Sequence, residues 1–275
     1  MKIKDRIFVV TGGAEGIGRE LTKILIQEGA SVAAVDIDAD ALAETKRQIG
    51  QENRNKLKVF LTDIAKKTEV ALLVDQIKKE LGPVDALINN AGVFQPFKSI
   101  VDISNEEVER VFGINFYGTL HMTRSFLPGL LKRPEALLMN IACMGSFIPI
   151  PGQTIYGASK AAVKLLTEGL QSELIETNVH VSIVYPGAVK TRILEHSKAS
   201  IPSGKVNLKH FHAMDAGLAA NTMVDAIRKD HRRVILGRDA RTLDRLYRFN
   251  PQAAIRFINS QMRKSIPKEI AENLD

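Results

Sequence analysis

Two alternating hydrophobic periods constrain what this 275-residue chain can fold into. Seven short runs, at residues 7–11, 31–36, 57–62, 86–89, 136–141, 179–185 and 234–236, are apolar at most positions and not merely at every second one. Between them lie segments such as Ile17, Leu21, Ile24 and Leu25, or Val70, Leu73, Val74, Ile77 and Leu81, in which apolar residues recur three or four positions apart. That spacing is the period of an amphipathic helix. Strands that are apolar on both faces must be buried on both faces, which is the condition of a parallel sheet covered by helices. The pattern therefore predicts an α/β fold, a doubly wound parallel sheet of about seven strands. Ligands of such sheets gather at the carboxyl ends of the strands, and the residues singled out below fall there.

Hydrophobic residues make up 45% of the chain, with no Pro-rich or Ser/Gly-rich break, so a single body is expected over 1–237. A basic amphipathic helical tail follows over 238–275. Cys143 is the single cysteine, which excludes an internal disulfide framework and fits a reducing, cytoplasmic setting. No apolar run approaches the length of a membrane span, and the first ten residues run directly into a strand. The net charge of +7 is concentrated at one end: Arg228 to Asp275 holds 12 Lys/Arg against 6 Asp/Glu. The remainder is nearly neutral, and the tail has no zinc-finger, basic-zipper or RNA-recognition pattern. A solvated helical face is thus expected there, and no nucleic-acid partner.

The first strand runs into Thr11-Gly12-Gly13-Ala14-Glu15-Gly16-Ile17-Gly18 and then opens a helix. Glycines allow a tight turn and close approach of backbone to a pyrophosphate, and the helix N-terminus offers unpaired N–H groups and a positive dipole end. The spacing is G-x-x-x-G-x-G, not G-x-G-x-x-G. Asp36 closes the second strand, where a carboxylate can accept hydrogen bonds from ribose hydroxyls and repel a 2′-phosphate. Neither Ala14, Glu15 nor Ile37 offers a cation to that phosphate. NAD is expected as cofactor, with NADP disfavoured. The other reading of Asp36 is a cap on the following helix.

Tyr156 and Lys160 lie four residues apart in Gln153-Thr-Ile-Tyr156-Gly-Ala-Ser-Lys160, one turn apart on one face if the stretch is helical. A free phenol titrates near about 10. A cation held about 4 Å away, at an effective dielectric near 20, supplies about 4 kcal/mol, enough to bring the phenol to neutral pH. The pair can therefore move a proton.

In order and spacing, these features resemble the short-chain dehydrogenase/reductase family over residues 5–237. The resemblance rests on the glycine loop, Asp36, Asp63, Asn89-Asn90-Ala91-Gly92, Asn115 in Gly113-Ile-Asn-Phe116, Tyr156 with Lys160, and Pro186-Gly187 with Thr191. It implies a Rossmann-like fold and NAD-dependent hydride transfer between nicotinamide and the CH–OH carbon of a substrate, with Tyr156 as acid/base. Gly12, Gly16, Ile17 and Gly18 would cradle the cofactor. Asp63 would contact adenine, with Ile64 beside it in the cofactor site. Asn90 would reach the adenosine ribose, with Ala91 and Gly92 lining the groove. Pro186, Gly187, Val189 and Thr191 would hold the carboxamide and pyrophosphate. Lys160 would grip the nicotinamide ribose and lower the Tyr156 pKa, and Asn115 would anchor a proton-relaying water. A homodimer or homotetramer through the helices carrying Asn115 and Tyr156 is implied as well.

The chain departs from the family at Cys143, thirteen residues before Tyr156, where a serine usually donates to the substrate oxygen. A thiol is a weak donor. Cys143 is either a weaker substitute, or Ser146 supplies the hydroxyl from a shifted loop, or the site is crippled and the chain is a nucleotide-binding regulator. A Cys143 thiolate would oppose ionisation of Tyr156.

Phe94, Met144, Phe147 and Ile148 are expected to wall a pocket for a hydrophobic secondary alcohol or ketone, with a lid over 193–214. His196, His210 and His212 in that lid match no zinc spacing, so no metal is expected. The tail reads as two helices, 239–249 and 252–264, broken at Asn250-Pro251. It could pack on its own domain or a neighbouring subunit, close over the pocket, or lie on an anionic membrane surface.

Overall fold

Each of the seven apolar runs becomes a strand in the computed structural model, which describes residues 1–191 and 213–265, with side chains of the last helix as far as Met262. The strands are β1 (Ile7–Thr11), β2 (Ser31–Asp36), β3 (Leu57–Leu61), β4 (Ala86–Asn89), β5 (Ala136–Ile141), β6 (Val179–Pro186) and β7 (Arg233–Leu236). They form one parallel sheet in the order β3-β2-β1-β4-β5-β6-β7. The order reverses between β1 and β4, which leaves a crevice at their carboxyl ends.

Strand parity divides the core. Phe8, Val10, Val32, Ala34 and Ile88 face α1 (Gly16–Gln27), α2 (Ala39–Ile49) and, later in the chain, α7 (Ala216–Arg228). Their neighbours Val9, Ala33, Val35 and Leu87 face α3 (Lys67–Glu80), α5 (Thr119–Leu130) and α6 (Thr154–Glu173). Because successive strand side chains point to opposite faces, both layers demand apolar residues, and this is why the strands lack polar alternation. The two edge strands are the exceptions, with Leu61 of β3 and Arg233 of β7 exposed.

Helix α4 (Asn105–Phe112) starts with a capping box in which Ser104 and Glu107 satisfy each other's backbone N–H groups. It runs through a π-helical turn, Gly113–Gly118, into α5.

The tail forms α8 (Arg238–Phe249) and α9 (Pro251–Ser265). The expected break at Asn250-Pro251 is the start of α9: the Asn250 side chain accepts the Ala253 N–H at 3.0 Å, and Pro251 takes the first helical position. Ala240, Leu243, Ala254, Ile258 and Met262 are buried against Met144 and Ile148. Burying Leu243 or Ile258 stabilises the docked tail by about 1.5–3 kcal/mol each. Arg233 holds Asp244 through two hydrogen bonds of 2.7 and 3.2 Å, and Arg248 adds a third at 3.1 Å. Of the readings open for the tail, its apolar face packs on its own domain. Among the described residues no helix is long and apolar enough to cross a membrane.

Candidate active site

The carboxyl ends of the central strands open onto a cleft of about 1360 Å³. Gly12, Gly16, Ile17, Asp36, Asp63, Ile64, Asn90, Ala91, Gly92, Pro186, Gly187, Val189 and Thr191 all border it. Gly18 lies one layer back, where an added Cβ would overlap the Gly12 carbonyl oxygen, so α1 can pack on the turn only through a hydrogen. Gly12 itself has φ +62°, a conformation that favours glycine. Thr11 Oγ1 accepts the N–H groups of Asn90 and Ala91 at 3.0 and 3.1 Å. The Asn90 amide donates to the carbonyls of Thr11 (3.0 Å) and Gly12 (3.2 Å). Asn90 thus clamps the glycine turn to β4 in addition to facing the cleft. Glu15, at the start of α1, makes no side-chain capping bond to the helix. A glycine turn leading into such a helix start fits the phosphates of a dinucleotide.

Asp36 is not a helix cap. Asp38 takes that role, accepting the Ala41 N–H at 2.9 Å. The Asp36 carboxylate accepts backbone N–H groups from Ala14 (3.1 Å), Ile37 (2.8 Å) and Asp38 (3.2 Å). Burial pushes its pKa up, and these hydrogen bonds oppose the shift. Glu15 and Asp38 border the same end of the cleft, which makes it acidic. Arg19, the nearby cation, directs its Nε to the Ala14 carbonyl and Thr45.

Cys143, Tyr156 and Lys160 meet at the other side of the cleft, all three buried. Tyr156 sits in the first turn of α6, whose own cap residue, Gln153, makes no capping bond. Gln95, from the segment after β4, supplies it: Gln95 Oε1 accepts the Tyr156 N–H at 2.9 Å, and Gln95 Nε2 donates to the Gly152 carbonyl at 2.8 Å. The Tyr156 ring packs on Phe94 with centroids 4.2 Å apart. Lys160 Nζ donates to the Ile141 carbonyl at 2.9 Å. Burial lowers its pKa to about 8, against an opposing pull from Cys143. Burial also pushes the Tyr156 phenol well above its usual range, with Cys143 adding to the shift. The resident groups therefore do not acidify the phenol as expected from Lys160. The buried site holds it protonated, as a phenol.

Cys143 Sγ accepts the Gly145 N–H at 3.1 Å. Burial pushes its pKa up too, so a thiol and not a thiolate occupies the site at neutral pH. Ser146 is no substitute: its hydroxyl donates to the Cys143 carbonyl at 2.6 Å and does not border the cleft.

The family profile of the short chain dehydrogenases matches residues 6–201. The chain belongs to the short-chain dehydrogenase family. It is 30% identical over 272 residues to the putative oxidoreductase SadH of Mycobacterium tuberculosis, covering 96% of this chain and 98% of that one. An uncharacterised oxidoreductase of Staphylococcus aureus is 37% identical over 191 residues, 70% of this chain and 81% of that one. A short-chain dehydrogenase/reductase of Burkholderia phymatum, solved with NAD, has the same fold, with a TM-score of 0.82 at 24% identity over 92% of this chain and 96% of that one. A serine dehydrogenase in its closed form, solved with NADP+, gives a TM-score of 0.76 at 26% identity, covering 84% and 93%.

Three features of this short-chain dehydrogenase differ from expectation. Asn115 does not border the cleft. Fully buried in the π-helical turn, it accepts the Val93 N–H at 2.8 Å and donates to the Val93 carbonyl (3.0 Å) and Ser159 Oγ (2.9 Å). Its side chain ties the cleft wall after β4 to α6. Phe147 and Ile148 do not wall the pocket: Phe147 packs edge-on against Tyr185, and Ile148 is fully buried under the tail. Phe97, Ile150, Ile258 and Met262 take their place beside Phe94 and Met144. Finally, Asp239, at the start of α8, accepts the Ala188 N–H at 3.1 Å and so fastens the tail to the loop after β6. The acidic residue in the first turn was a visible signal of a helix start, but nothing local pointed to its distant partner. Apart from its last two residues, the lid expected over 193–214, with His196, His210 and His212, lies outside the described residues. Among the described residues no group of three or more His, Cys, Asp or Glu could hold a metal ion.

Proposed function

We propose that this chain is a nicotinamide-dependent oxidoreductase that prefers NAD(H) to NADP(H) and interconverts an apolar secondary alcohol and its ketone. The observation that carries this reading is convergence: a glycine turn at a helix start, a hydrogen-bonded Asp36, and Tyr156 with Lys160 border one cleft. The cofactor, when bound, supplies the donation and acceptance of hydride. The chain's own residues handle the proton. Tyr156, kept protonated by burial, stands as the acid that delivers a proton to the substrate oxygen during ketone reduction. Oxidation needs its conjugate base, which a positive charge nearby would favour. The apolar substrate class is supported by Phe94, Phe97, Met144 and Ile150 around the Tyr156 and Cys143 side chains. A panel of secondary alcohols and ketones, followed by nicotinamide absorbance with each cofactor, is the test. Tight NADH binding without turnover on any member would favour a regulator instead.

The cofactor preference has its own test. Asp36→Asn keeps one acceptor oxygen, enough for the Ile37 and Asp38 N–H groups that share Oδ1, gives up the bond from Ala14 to Oδ2, and removes the charge that would repel a 2′-phosphate. The NAD-to-NADP ratio of kcat/KM is expected to fall about tenfold, equivalent to ~1.4 kcal/mol. An unchanged ratio would remove Asp36 from cofactor selection.

Lys160 gives a pH signature. Because burial lowers its pKa to about 8, Nζ is an ammonium donor below that pH and a neutral amine above it. If the ammonium form grips the cofactor, the NADH dissociation constant is flat below about pH 8 and rises by up to about tenfold per unit above it. Fluorescence titrations of wild type and Lys160→Met check this, the variant being expected to lose the pH dependence.

A further inference from the structure

We infer that Ile258 and Met262, on the last helix of the tail, are specificity-determining residues: they form part of the wall against which the hydrocarbon portion of the substrate packs, and they set its preferred length. This deepens the reading above and rests on it for the class of substrate.

Both residues border the cleft, although they lie about a hundred positions beyond Tyr156. They pack in one apolar cluster with Met144, Phe97 and Ile150. That cluster reaches the reacting corner: a Cβ placed on Gly145 would lie 3.1 Å from Cys143 Sγ, 3.6 Å from Ile150 Cδ1 and 3.9 Å from Tyr156 Cε1. The tail wall is thus continuous with the side chains around the phenol. It is also fixed in place. Asp239 joins the start of α8 to the Ala188 N–H, and Asp244 is held by Arg233, while Asn250 caps α9 within the tail. A wall fastened to the body at two points and packed along its apolar face can discriminate size. A loosely attached helix would yield to any ligand.

The two side chains would discriminate differently. Ile258 is β-branched, stiff at χ1 and almost fully buried, so it acts as a hard stop. Met262, at the more exposed edge, is unbranched and adaptable. Each substrate methylene that gains a dry contact raises apparent affinity about fourfold. Shortening Ile258 therefore favours longer chains, and enlarging it favours shorter ones.

The test uses the full-length protein and a homologous series of straight-chain methyl ketones. kcat/KM with NADH is measured across the series for wild type, Ile258→Ala, Ile258→Phe and Met262→Ala. Binding of each ketone to the NADH complex is measured in parallel by calorimetry. The alanine variants are expected to move the optimum to longer chains, by about fourfold in kcat/KM per added methylene accommodated. Ile258→Phe is expected to move it to shorter chains, with NADH affinity unchanged. Should Ile258→Ala fail to fold, Ile258→Val and Met262→Ala carry the same test. An optimum that stays fixed in folded variants overturns the inference, as does absence of binding at every chain length. If ketones bind but none is reduced by wild type, the oxidoreductase reading fails by itself. The calorimetric length profile then still decides the role of the tail: a shift upholds it and a fixed profile overturns it.

Discussion

Tyr156→Phe is expected to reduce hydride transfer by about 10²–10⁴-fold, the usual contribution of a positioned general acid, while NADH still binds. The substitution removes one oxygen and leaves the ring against Phe94, with centroids now 4.2 Å apart. The backbone N–H of residue 156 keeps its bond to Gln95 Oε1, so the start of α6 stays capped. Stability is therefore expected to change little, which separates a chemical effect from a folding effect. Lys160 keeps its hydrogen bond to the Ile141 carbonyl and its place beside the cofactor cradle. The measurement is turnover on the ketone panel, paired with thermal melting and NADH titration. Activity within a few-fold of wild type in a folded, NADH-binding variant would mean that Tyr156 does not carry the proton.

The fold was legible because its signals are periodic and local. Apolar runs buried on both faces appear in the sequence as dense apolar stretches, and all seven became strands with at most one residue of difference at an end. The cofactor end of the cleft was legible for a related reason. Glycine turns, a strand-final Asp36 and the Tyr156–Lys160 spacing are short-range patterns whose chemistry follows from adjacency. Contacts between distant segments were not legible. Gln95 has no local mark that tells of its bond to the Tyr156 N–H 61 positions on. Asn115 was expected to anchor a water, and the partners of its side chain, Val93 and Ser159, lie on other segments. Phe147 and Ile148 were assigned to the pocket because they follow a strand end. The short 3₁₀ turn Met144–Ser146 instead leaves them under the tail, and Ile258 and Met262 border the cleft. Electrostatics shows the same limit. The spacing of Tyr156 and Lys160 suggested an acidified phenol, but burial depends on the whole packed site and pushes the phenol the other way.

Cys143→Ser is expected to raise kcat by about 10–100-fold. The reasoning starts from what a donor at this position does: losing one well-aimed donor to a developing oxyanion costs about 10²–10³ in rate. The thiol of Cys143 retains part of that effect as a weak donor. Because burial keeps it protonated, no thiolate charge repels the oxyanion, and the deficit is one of donor strength. A serine hydroxyl fits the surroundings. It can accept the Gly145 N–H, which Cys143 Sγ now accepts at 3.1 Å, and still donate to a substrate oxygen. The gain should fall on kcat with KM little changed, since the charge being stabilised exists mainly in the transition state. Cys143→Ala, lacking any donor, is expected to fall below wild type. Ser146→Ala serves as a control and is expected to stay within a few-fold, because the Ser146 hydroxyl is turned to the Cys143 carbonyl and away from the cleft. Steady-state kinetics of the three variants on one ketone decide the matter. A Cys143→Ser enzyme no faster than wild type would mean that the sulfur has a task of its own, and the ordering Ser above Cys above Ala is the pattern that weak donation alone produces.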